Sequence, residues 1–107
     1  MVLIVGGAYQ GQEEAAGTLF PGYKLVAQVQ DRILEKVKAG EDPLEAVMPY
    51  LKEENTVLTA QEIGCGIVPL DPVEREWREK TGRVLCAAAK EASQVYRMVC
   101  GLPVRIK

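Results

Sequence analysis

The residues whose spacing most clearly suggests chemistry are two glycines near the start of the chain. Gly6, Gly7, Ala8, Tyr9, Gln10 and Gly11 place four residues between Gly6 and Gly11, directly after the apolar run Val2-Leu3-Ile4-Val5 and before a helical segment. That is the frame of a phosphate-binding loop, in which backbone N–H groups cradle phosphate at a helix N-terminus. The complete pattern continues with Lys, which reaches the outer phosphates, and Ser or Thr, whose hydroxyl holds magnesium. Here those positions are Gln12 and Glu13. A carboxylate about 5 Å from a phosphate charge costs roughly 3 kcal/mol at an effective dielectric near 20, and the lysine's attraction is forfeited too. Micromolar binding amounts to only about 8 kcal/mol. Glu13 and Glu14 instead suit the positive end of the helix dipole, so the helix fills its own anion site.

A second constellation is Gln61-Glu62-Ile63-Gly64-Cys65-Gly66-Ile67-Val68-Pro69, which follows the short apolar run Thr56 to Ala60. Gly64 and Gly66 around one residue at a strand end suggest backbone that bends sharply or is approached closely. Glu62 is the candidate catalytic residue, placed to organise a metal or position a nucleophile. Its bland alternative is a hydrogen bond to neighbouring backbone. Any ligand is expected across Gly6 to Gln12 and Glu62 to Gly66, where the first and third strands end. No metal site is expected: the chain has no histidine, and Cys65, Cys86 and Cys100 form no CxxC pair. They read as reduced thiols in a loop, a helix and a strand.

The elements that must position these residues follow from periodicity and punctuation. Val2 to Val5 reads as a buried parallel strand. After the first helix, Pro21-Gly22 marks a turn and Tyr23 to Val29 a second strand. Asp31 then caps a helix that carries Ile33, Leu34 and Val37 and stops at Gly40. A further helix has Asp42 as N-cap, Pro43 at its first position, and Leu44, Val47, Met48 and Leu51 on one face, with Pro49 expected to kink it. Asp71-Pro72 opens the longest helix, running to about Ala92, in which Gly82 marks close packing or a break. Val95 to Cys100, a Gly101-Leu102-Pro103 turn and Val104 to Ile106 complete a terminal hairpin.

With 107 residues, 48% of them hydrophobic and 26% charged, the chain is expected to form one domain over residues 1–107. The fold class is α/β: a mainly parallel sheet in the manner of P-loop NTPases, helices on both faces, and a C-terminal β-hairpin. A net charge of −2 argues against nucleic acid or an anionic membrane surface as partner. No apolar run approaches a membrane span, and a cytoplasmic protein is expected.

Four blocks resemble one family, the bifunctional adenosylcobinamide kinases and adenosylcobinamide-phosphate guanylyltransferases of cobalamin biosynthesis. Gly6-Gly7-Ala8 and Gly11 stand where that family has Gly-Gly-Ala-x-x-Gly-Lys-Ser. Glu62-Ile63-Gly64-Cys65-Gly66-Ile67-Val68-Pro69 is the most specific match, to Glu-Val-Gly-x-Gly-Ile-Val-Pro. Gly82-Arg83-Val84 resembles Gly-Arg-x-Asn with Leu85 in place of Asn, and Gly101-Leu102-Pro103-Val104-Arg105-Ile106-Lys107 resembles Gly-Ile-Pro-Val-x-Ile-Lys. The resemblance implies a P-loop fold, a homo-oligomer of trimer type, and GTP or ATP with magnesium as ligands. It also implies what is missing. Family members are longer, the stretch that holds their guanylylated histidine has no counterpart here, and Ala27 falls where their magnesium-organising aspartate stands.

The reading that follows is a shortened, non-catalytic relative, a binding or regulatory protein linked to cobalamin metabolism. The alternative is a residual GTP or ATP binder, or a weak phosphotransferase, using the loop amides and Glu62. A third reading has Glu13 and Glu14 facing a cation or a partner's basic side chain.

Overall fold

The computed structural model describes residues 1–63 and 70–107. The order along the chain is β1 (Val2–Gly6), α1 (Gln12–Leu19), β2 (Lys24–Val26), α2 (Val29–Ala39), two 3-10 turns (Pro43–Ala46 and Met48–Tyr50), β3 (Thr56–Gln61), α3 (Pro72–Glu91), β4 (Gln94–Val99) and β5 (Leu102–Arg105). The described strands form one five-stranded sheet in the order β2-β3-β1-β4-β5. All neighbours run parallel except β4 and β5, which pair antiparallel. The α/β class and the terminal hairpin are as the sequence predicts.

Strand alternation divides the core in two. Leu3, Val5, Val26, Leu58 and Val95 point to the face covered by α2, α3 and the 3-10 turns, where they pack with Val29, Ile33, Val47, Val84 and Ala88. Val2, Ile4, Val57 and Met98 point the other way, against Ala15 and Ala16 of α1, with Phe20 and Tyr96 at the margin. Among the described helices only the eight residues of α1 cover that second face, and Leu25 of β2 stays 45% exposed on it.

Several expectations shift, each for a local reason. The second strand ends at Val26 rather than Val29, because Gln28 adopts a left-handed conformation (φ 56°) and Val29 already packs into the core as the first residue of α2. Asp31 therefore lies in the first turn of α2 and is not its cap. Asp42 does cap, accepting from the Leu44 amide at 3.0 Å, but no α-helix follows. Pro49 disfavours helical backbone at Met48 and supplies no amide of its own, leaving two short 3-10 turns. Leu44 and Leu51 reach the core margin and Val47 is buried, while Met48 is exposed. Mixed charges coat this outer surface. The Lys36 ammonium, for one, hydrogen-bonds Glu41 at 2.8 Å, which holds its pKa above the ordinary lysine value.

Gly82 neither breaks α3 nor marks close packing: the helix is continuous, and a Cβ at this position would meet nothing within 4 Å. In the hairpin the turn is Cys100-Gly101, with φ of 50° and 76°, a two-residue turn of positive φ that matches the twist of the flanking strands. Leu102 and Pro103 thus belong to β5, an edge strand where a proline's missing donor is tolerated. Cys100 lies in this turn, not in a strand, and both it and Cys86 of α3 are exposed free thiols. Cys65 lies outside the described residues. No helix among the described residues is long and apolar enough to cross a membrane.

Candidate functional site

The glycine loop forms at the C-terminal end of the central strand. At Gly6 a Cβ would stand 2.8 Å from the Met98 Cβ and 3.3 Å from the Gln12 Nε2, so the close approach of β4 and α1 requires glycine there. At the other end Gly11 precedes α1 with φ 82°, a conformation open mainly to glycine. The loop is then tied down from both sides. Gln12 is buried and donates from Nε2 to the Gly7 carbonyl at 3.0 Å and the Ala60 carbonyl at 3.2 Å, joining the loop to β3. Gln10 accepts from the Gly101 amide at 2.7 Å, joining it to the hairpin turn. Between them Ala8 and Tyr9 are exposed, and Tyr9 carries a positive φ of 59°.

Beside this loop lies a cavity of about 280 Å³, bounded by Tyr9, Gly11, Gln12, Glu13 and Glu14 on one side and by Gln28, Gln30, Thr59, Ala60 and Gln61 on the other. A chain of amide hydrogen bonds runs around it. The Gln61 amide donates to Gln30 Oε1 at 3.0 Å, Gln30 Nε2 donates to Gln28 Oε1 at 2.6 Å, and Gln28 Nε2 donates to Glu13 Oε1 at 3.0 Å. Gln30 is itself buried, and its carbonyl accepts from the Trp77 indole of α3 at 2.7 Å. The described lining thus holds two carboxylates, Glu13 and Glu14, four glutamines and no cation. A phosphate entering it would gain no charged donor and would meet about 1 to 3 kcal/mol of repulsion from each carboxylate at about 5 Å, depending on hydration.

Glu62 opens in the other direction. Its amide extends the β1–β3 ladder by donating to the Gly6 carbonyl at 2.8 Å. Gln61 pairs with Gly6 on the α1 face, so alternation turns the next residue to the α3 face. There the Glu62 carboxylate meets the Arg97 guanidinium of β4 at 3.2 Å. The structure therefore brings Tyr9, Gly11, Gln12 and Glu13 together at one cavity, whose described lining does not include Gly6, Gly7, Ala8 or Gln10, and sets Glu62 on the opposite side of the sheet. Gly64 and Gly66 lie outside the described residues. Among the described residues no group of three or more His, Cys, Asp or Glu side chains is placed to hold a metal ion.

Sequence reasoning does not single out Gln28, Gln30 or Thr59, and names Gln61 only as the start of the second constellation; these four supply four of the ten lining residues. The available clue is position: Gln28 and Gln30 follow the second apolar run as Gln61 follows the third. Both runs end at the edge where an α/β sheet collects ligands.

Residues 23–106 match the family described as cobinamide kinase / cobinamide phosphate guanyltransferase. This chain belongs to that family. The matched span takes in Glu62 and Gly82 and begins beyond the glycine loop and α1. Among curated relatives, the bifunctional adenosylcobalamin biosynthesis proteins CobU of Escherichia coli and of Salmonella typhimurium are each 41% identical over 51 residues. That stretch is 48% of this chain and 28% of each relative, so the chain matches less than a third of their length.

Proposed function

We propose that this member of the family binds a ligand at the glycine-loop cavity without carrying out phosphoryl or nucleotidyl transfer, as a binding or regulatory protein of cobalamin metabolism. The observation that carries the reading is Gln12. In a phosphate-binding loop the side chain after the last glycine supplies a cation to the outer phosphates. Here that position holds a neutral amide whose two protons are spent on the Gly7 and Ala60 carbonyls. The next position, which should offer a hydroxyl to magnesium, holds Glu13, engaged by Gln28. Phosphoryl transfer depends on metal and cation stabilisation of developing charge. The side chains at these positions do not fit a magnesium nucleotide, and no step is assigned to one. The pathway link rests on family membership and on the names of the two relatives.

Calorimetric titration with GTP and ATP, each with magnesium, tests the reading when run on the natural chain and on the double variant Gln12→Lys, Glu13→Ser. The natural chain is expected to show no binding, and the double variant to gain it. Micromolar binding by the natural chain would sink the proposal. It would favour the second reading, a nucleotide binder that relies on the Gly6 to Gly11 backbone alone.

The same proposal includes self-association. All four residues of β5 are exposed, with Leu102 at 68% and Val104 at 46%, and the side of the strand away from β4 is a sheet edge, unpaired among the described residues, of the kind that proteins cover. Light scattering is expected to give a homo-oligomer, a trimer by the family resemblance, that Leu102→Glu dissociates. A monomeric natural chain rejects this part alone.

A further inference from the structure

The α3 side of the sheet holds a second cavity, of about 420 Å³, that the glycine-loop reading does not use. Its walls are Leu3, Val5, Leu85, Val95 and Ile106, with Ile63 and Ala89 at the margin. Leu3 and Val5 belong to the central strand, so the cavity is a cleft that reaches the sheet and not a patch on the surface. Its volume lies within the range of small-molecule sites, about 300 to 1,000 Å³. Three features set it apart from a packing defect.

The first is Thr81. It lines the cavity at 1% exposure, and its hydroxyl is a buried side-chain polar atom with no hydrogen-bond partner among the described residues. A helical threonine commonly satisfies itself on the carbonyl one turn back. This one does not, and buried polar groups left unpaired are rare enough to need a cause. Rotation of χ1 between staggered wells carries the hydroxyl to a different position around Cβ, and because the residue lines the cavity an occupant can draw the donor toward it. The second is Gly82. It is exposed at the cavity mouth in the interior of a continuous helix, where glycine is disfavoured, and neither a close neighbour nor a positive φ requires it. What glycine does provide there is an unobstructed entrance. The third is charge. Glu62, the lining carboxylate, is paired with Arg97, so the described lining offers no free ion to a ligand.

We infer that this cavity is a ligand site for a small, neutral, apolar or aromatic molecule carrying one hydrogen-bonding group, which pairs with the Thr81 hydroxyl. The inference is independent of what binds at the glycine loop. Cys86 makes it measurable, because its exposed thiol lines the same cavity, while Cys100 on the hairpin turn is an exposed thiol that does not.

The experiment follows iodoacetamide alkylation of each cysteine by mass spectrometry on the full chain, with phenol, indole or toluene as probe. Phenol and indole are expected to slow Cys86 alkylation several-fold in a saturable manner and to leave Cys100 unchanged. Thr81→Val is expected to weaken phenol about 3- to 10-fold and toluene hardly at all, the split a merely apolar cavity would not give. Gly82→Leu, which fits a helix and whose Cβ would meet nothing within 4 Å, is expected to abolish protection by every probe at an unreduced melting temperature. Absence of saturable Cys86 protection at millimolar probe overturns the site. So does protection that survives Gly82→Leu, and equal losses for phenol and toluene in Thr81→Val overturn the assigned hydrogen bond.

Discussion

Gln61 and Glu62 are adjacent at the end of β3, and their side chains open onto two cavities on opposite faces of one sheet. The cavity on Gln61's side is polar, and its glutamines are bonded to one another, to Glu13 and to backbone at the ends of β1 and β3. The cavity on Glu62's side is apolar, its charge is paired, and its buried hydroxyl is unmet. In the first, the Gln12, Gln28 and Gln30 amides are tied to neighbouring acceptors, which suits recognition without a mobile cation. The second extends the main hydrophobic core, so its walls answer to packing first and to a ligand only secondarily. A motif that looks like one site in sequence thus serves two surfaces, because a strand sends consecutive side chains to opposite sides.

If the α3 cavity is continuous with the core, emptying its wall is the most damaging change available. Leu3 is 1% exposed and faces both. Leu3→Ala is expected to cost about 2 to 5 kcal/mol by urea denaturation, through lost burial and enlarged void. A loss under about 1 kcal/mol would mean that the cavity already behaves as solvent and the contrast is misdrawn.

On the loop side the corresponding change is Gln12→Ala, which removes one buried and one part-buried hydrogen bond and leaves the Gly7 and Ala60 carbonyls short of a donor. The expected loss is about 1 to 3 kcal/mol, at roughly 0.5 to 1.5 per bond. Faster amide hydrogen exchange across residues 7 to 12 should accompany it, with β4 and β5 unchanged. A loss without that local signature would place the effect in the core instead of the loop.

How much of this contrast is legible in the sequence depends on which forces are local. Val2 to Val5, the Asp42 cap, the helix start at Asp71-Pro72 and the stop at Gly40 are read correctly because each is decided within a few residues. The hairpin turn is misplaced because Cys100, not only Gly101, adopts positive φ, which composition does not announce. The end of β2 is misplaced because Gln28 is held left-handed where its side chain meets Glu13, fifteen positions away, and Gln30. The glutamine chain around the loop and the separation of Glu62 from it both depend on the register between β1 and β3, a long-range fact. Periodicity locates strands; it does not say which of two neighbouring residues faces the loop.

The smallest expected effect is the most direct test of that separation. Glu62→Gln breaks an ion pair with Arg97 whose partners are 29% and 54% exposed at the side chain. Exposed and half-exposed pairs contribute about 0 to 1 kcal/mol, so stability should change by no more than that, and less at high salt. The neutral amide keeps the shape and can still accept from Arg97, so the α3 cavity should stay open. Because Glu62 faces away from the loop, the nucleotide affinity gained by Gln12→Lys, Glu13→Ser should be the same with or without the added Glu62→Gln change. A shift of tenfold or more in that affinity would show that the carboxylate reaches the loop ligand after all, and the two cavities would have to be treated as one site.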